Sequence, residues 1–221
     1  MVVEKSWFRR QLRVNVRVFA FFAVFFLFGD VYAMSPTESL KQALSAIHTW
    51  QADFTQKAYG ENGRLEAESS GHCAIKRPGY FYWRIDTPNQ QTIYLNPKHT
   101  WVVDPDLMQA TRQSSSKLVT SNNPVSLLVG ALDKTLSQYR VSRVATKGDV
   151  SYVLIPLKQD DAPFQRLSMT LRNHVLSSMQ VTTVLSSDVV FSFTHIVLNK
   201  SISNTFFHYT PAPGMDVLKQ G

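Results

Sequence analysis

The sequence predicts a mainly β protein with a few helices, an α+β chain in which one strongly curved antiparallel sheet wraps around its helices. Three observations point there. From Trp50 onward, apolar and polar residues alternate with period two in run after run, as in "WQADFTQKAY" and "VSYVLIPLK". Turn signals rich in Pro, Gly, Asn and Asp separate these runs about every 8–12 residues. Helical periodicity occurs only before the first run and once in mid-chain. A meander of about ten strands twists and curls, so its inner face needs cover, and those helices are the only cover available.

The chain opens with a segment of a different kind. Of the net charge of +7, residues 1–33 hold five basic residues against two acidic ones, or +3, leaving +4 for the rest. The basic stretch ends at Arg17 and gives way to "VFAFFAVFFLF", eleven apolar residues from Val18 to Phe28. A membrane-spanning helix needs roughly 20. Gly29-Asp30 breaks the run, and Val31-Tyr32-Ala33 fits a signal-peptidase site. Residues 1–33 therefore read as a cleaved signal peptide, with residues 34–221 as a single exported domain. The only cysteine, Cys73, has no disulfide partner, and residues 29–36 have none to carry a lipid. The mature chain is thus expected to be exported, soluble and not lipidated. Cys73 reads as a small buried strand residue.

The elements follow in order. Ser35-Pro36-Thr37-Glu38 is a capping box with Pro at the first helical position, and Leu40, Ala43, Leu44 and Ile47 form the apolar face of a helix that should end near 48–50. Strands then run between turns at Gly60–Gly63, Arg77–Gly79, Thr87–Asn89, Asn96–Lys98 and Asp104–Asp106. Asn123-Pro124 starts a short helix through Val125, Leu127, Leu128 and Val129, which Gly130 stops. A second helix spans about 132–137. Five more strand-like runs lead to "FFHYTPAPGMDVL", read as a strand end with a Pro-rich finish.

Catalytic signals are absent. The six histidines show no His-x-x-x-His pair and no cysteine partner for a metal. There is no Gly-x-Ser-x-Gly elbow and no phosphate-cradling glycine loop. Asp104, Asp106, Asp160 and Asp161 look like turn residues. A residual +4 without a basic stripe argues against nucleic acid. The chain reads as a non-enzyme without cofactor. Its density of rings, Tyr80 to Trp83, Tyr94 and Trp101, suits a pocket for hydrocarbon.

"DFTQK" (Asp53–Lys57), "IKRPGYFYW" (Ile75–Trp83), "WVVDPDLMQAT" (Trp101–Thr111), the Asn-Pro-apolar helix and the closing "FTHIVLN" and "FFHYTPAPGMDV" come in an ordered set. Together they resemble the periplasmic outer-membrane lipoprotein carrier family, LolA, over residues 35–218. The resemblance implies an incomplete β-barrel with a helical lid over an apolar cavity. It implies a monomeric periplasmic carrier that takes lipoproteins from an inner-membrane ABC-type releasing complex. Such a carrier shields the acyl chains and passes the cargo to an outer-membrane receptor lipoprotein. That receptor is itself lipidated, so the missing lipid-attachment cysteine favours the carrier. A binder or carrier of another lipid or glycolipid is the alternative, because it needs the same cavity.

Phe81 and Trp83 share one strand face, opposite Tyr80, Tyr82 and Arg84. The acyl-chain cavity is expected at Phe81, Trp83, Tyr94, Trp101 and Met108, under a lid helix with Pro124, Leu127, Leu128 and Val129. By resemblance, Arg77 is the latch whose guanidinium bonds lid-helix backbone and holds the empty carrier closed.

Overall fold

The computed structural model describes residues 34–116, 124–160 and 162–220. The signal-peptide reading of residues 1–33 and the Asn123 cap fall outside that range. Helix α1 (Pro36–Ser45) begins as its sequence dictates: the Ser35 hydroxyl accepts from the Glu38 amide at 3.2 Å and Pro36 takes the first position. It ends earlier than its apolar periodicity suggests. Asn199 accepts from the His48 and Thr49 amides at 2.8 and 3.3 Å and donates to the Ala46 carbonyl at 3.0 Å. Those bonds turn the chain out of the helix and into the sheet.

Six strands follow: β1 (Thr49–Tyr59), β2 (Leu65–Lys76), β3 (Tyr80–Thr87), β4 (Gln91–Leu95), β5 (His99–Asp104) and β6 (Gln109–Ser114). Short helices α2 (Pro124–Val129) and α3 (Leu132–Leu136) come next. Strands β7 (Tyr139–Ala145), β8 (Asp149–Pro156), β9 (Phe164–Arg172), β10 (Val175–Thr183) and β11 (Asp188–Leu198) complete a second meander. The tail is not a plain strand end. It forms a 3₁₀ turn (Asn204–Phe207) and then a last strand, β12 (Asp216–Lys219).

The described strands make one sheet in the order β12-β6-β5-β4-β3-β2-β1-β11-β10-β9-β8-β7. Two meanders thus meet where β1 pairs with β11, and every pairing is antiparallel except β12 with β6. The sheet is open, because β12 and β7 are both edges.

Strand alternation sorts the side chains to two faces. Trp50, Phe54, Ile75, Phe81, Leu95, Leu154, Leu167 and Met169 face inward against Leu40, Leu44 and the helices α2 and α3. The outer face of β2–β6 carries a second apolar layer under the tail. There Tyr80 meets Phe207, Tyr82 meets Phe206, and Tyr94 and Trp101 both meet Tyr209, with ring centroids 4.8–5.4 Å apart.

Gly71 permits the close approach of β2 and β3 at a register shift between Ser70 and Gly71. A Cβ there would collide with the Arg84 backbone carbonyl. Gly71→Ala is expected to lower stability by about 1–3 kcal/mol, read as a drop in the urea midpoint.

Candidate functional site

A cavity of about 240 Å³ lies between the inner face of the sheet and α2. Trp50, Phe81, Trp83, Ile93, Met179, Val181, Phe191 and Phe193 form its walls, Gln56 contributes an amide, and Pro124, Val125 and Leu128 form its roof. The rings are packed as a group. Trp83 stacks on Phe54 at 3.8 Å, lies parallel to Phe81 at 6.0 Å, and takes Phe191 edge-on at 5.5 Å. Such walls attract hydrocarbon by area and shape, without fixed polar anchors.

The roof is held at one end. Arg77 Nη2 donates to the Leu127 carbonyl at 2.7 Å, and the Gly79 amide donates to the Val129 carbonyl at 3.0 Å. Both acceptors belong to the last turn of α2, whose carbonyls have no partner within the helix. No carboxylate among the described residues pairs with Arg77, and burial pushes its guanidinium down to about 10, still charged at neutral pH. A six-residue helix has too few internal bonds to stand alone. Inward packing of Leu127, Leu128 and Val129 and these two bonds help to hold α2 in place.

A family model for the outer membrane lipoprotein carrier protein LolA matches residues 45–210. The chain belongs to this family. It is similar to the outer-membrane lipoprotein carrier protein of Coxiella burnetii (strain CbuK_Q154), with 34% identity over 198 residues, 89% of this chain and 93% of that one. The carrier protein of Hahella chejuensis is likewise 34% identical over 185 residues, 83% of this chain and 88% of its own. The crystal structure of an uncharacterized conserved protein from Thermus thermophilus superposes with a TM-score of 0.55, covering 84% of this chain and 100% of that one. At 10% identity that last likeness concerns the fold alone.

Within this LolA fold, the residues expected at the cavity divide. Phe81 and Trp83 line it, as do Pro124 and Leu128, while Leu127 and Val129 are buried beside it. Tyr94, Trp101 and Met108 do not line it, and here the expectation is corrected. Tyr94 pairs directly with Tyr82 and with Trp101, so strand parity puts all three on the outer face. Met108 sits in the β5–β6 turn at φ 53° and is 48% exposed. The walls supplied by Trp50, Met179, Val181, Phe191 and Phe193 have no assignment from sequence. Their alternation is readable, but the inward face of β10 and β11 is fixed only by the β1–β11 pairing.

The outer face holds a polar cluster that sequence spacing does not show. Asp53 accepts from His72 Nδ1 at 2.6 Å and from His195 Nδ1 at 2.7 Å, bridging β2, β1 and β11. Asp86 lies 3.3 Å from His72 Nε2 and 2.7 Å from Arg84 Nε. The hydrogen bond from His195, then that from His72, holds the Asp53 carboxyl below the usual carboxylate range. A carboxylate lowered in this way stabilises the fold above its unfolded pKa of about 3.9 and loses that contribution as pH falls through the folded value. Urea midpoints of the wild type and Asp53→Asn should therefore differ near pH 6 and draw together as the pH falls from about 3.9 toward 2. A gap that stays constant down to pH 2 would show that the charge of Asp53 contributes nothing.

Proposed function

We propose that this protein carries lipoproteins through the periplasm, enclosing their acyl chains in the cavity between the sheet and α2. The observation that carries this reading is an aromatic cavity roofed by a six-residue helix whose last turn is bonded by Arg77 and the Gly79 amide. The relatives named outer-membrane lipoprotein carrier protein support it, and theirs is a family of carriers rather than of enzymes.

The energetics suit a carrier that has no energy source of its own. At about 240 Å³ the cavity is smaller than the roughly 300–1,000 Å³ typical of drug-sized ligands. The described conformation is thus the closed one, and cargo must displace α2. Breaking the Arg77 bond costs about 1.5–3 kcal/mol and the Gly79 bond about 1. Each buried methylene returns about 0.8 kcal/mol, so about three to five of them balance these two bonds, and further ones replace the contacts that Leu127, Leu128 and Val129 give up. Reclosing then opposes retention, which favours release to an acceptor.

In this reading residues 1–33 are a signal peptide that directs the chain to the periplasm and is removed. No helix among the described residues is long and apolar enough to cross a membrane. The donor of cargo is an inner-membrane ABC-type releasing complex, the acceptor is an outer-membrane receptor lipoprotein, and the carrier acts as a monomer.

The test is release. Added to proteoliposomes bearing the releasing complex, the protein should bring lipoproteins into the supernatant as a one-to-one complex. Arg77→Leu should load cargo but fail to pass it to receptor-bearing liposomes. Normal transfer by that variant would overturn the latch role. No release, with another lipid bound in native mass spectrometry, would replace lipoproteins by that lipid as cargo.

A further inference from the structure

Trp50 lies at the β2–β3 turn end of the cavity. Its side chain is 1% exposed, it lines the cavity, and it meets Phe193 edge-on at 4.8 Å. Yet its Nε1–H has no hydrogen-bond partner among the described residues. Buried polar groups nearly always have one; here the nitrogen is closed even to a water molecule, so an acceptor can reach it only as cargo displaces α2. Among the described lining residues Gln56 offers the only amide side chain, but it stands six residues away on β1, roughly 20 Å along the strand. A water would need two to four polar partners, which these apolar walls do not supply. A second orphan sits at the same end: Arg77 Nε, two residues beyond Ile75, the strand partner of Trp50.

We propose that the Trp50 indole N–H donates to a carbonyl oxygen of an ester- or amide-linked acyl chain, so that the cavity reads the acyl linkage as well as the hydrocarbon. A carbonyl suits the site because it accepts without bringing a donor that these walls would leave unpaired. The linkage then rests at the Trp50 end and the chain extends along β1 toward Gln56. This inference rests on the carrier reading above.

The test compares two fluorescent lipopeptides that differ only in having ester-linked or ether-linked chains. Anisotropy titrations are run on the wild type and on Trp50→Phe, which keeps an aromatic ring and removes the donor. The wild type should bind the ester lipopeptide roughly 5–10-fold more tightly, as expected for one hydrogen bond. Trp50→Phe should bring the ratio of the two affinities to about one, whatever the altered wall does to both affinities together. Equal binding of both by the wild type, or a preference that survives in Trp50→Phe, would overturn the role of Trp50 and leave the carrier reading intact. Binding of neither by the wild type would overturn the carrier reading and this inference with it. The wild-type comparison needs no variant, so a poorly folding Trp50→Phe does not weaken the test.

Discussion

A single sheet of this width has two faces, and each must be covered wherever it is apolar. That constraint organises the molecule. The inner face is covered by α1, α2 and α3, and the outer face of β2–β6 is covered by the tail from Ile202 to Met215. Strand parity divides the rings of β3–β5 between the two duties. Phe81 and Trp83 turn inward to the cavity, whereas Tyr80, Tyr82, Tyr94 and Trp101 turn outward to hold the tail. The aromatic richness of that segment therefore serves two layers, and only one of them is the pocket.

The inner cover is uneven. Helix α1 is a full ten residues, capped by Ser35, and tied to α3 through Lys41 and Asp133 at 2.6 Å. Helix α2 has six residues and is fastened from outside, by Arg77 and the Gly79 amide. Elements with few internal bonds are the ones that move at least cost. A buried guanidinium bonded to a helix-end carbonyl holds that end until the helix moves and water can reach the charge.

The strands are legible in the sequence because alternation and turn residues are local. Gly60–Gly63 and Thr87–Asn89 separate strands where their chemistry says they should, and Pro124 and Gly130 bound α2. What stays hidden is non-local. Asp53 and His195 are 142 residues apart, and no spacing rule joins them. Only the β1–β11 pairing does so, and the same pairing brings Phe191 and Phe193 to the cavity. Tyr94 and Trp101 depart from expectation for the same reason, since their face follows from register against Tyr82 rather than from composition. The parallel pairing of β12 with β6 likewise joins segments with no local signal between them. Arg77 is readable as a turn residue, but its acceptor on α2 comes only with the family resemblance.

The tail has a mechanical consequence. A plate faced on both sides resists bending more than one faced on a single side, and close-packed layers transmit strain with little give. Strands β2–β6 are sandwiched between helices and tail, while among the described residues the second outer apolar layer does not extend over β7–β10. The half-barrel is thus graded in stiffness. Phe81 and Trp83 stand on the rigid wall, and Met179 and Val181 on the compliant one. Widening to admit a bulkier guest falls to the compliant wall and its free β7 margin, while the rigid wall keeps its shape.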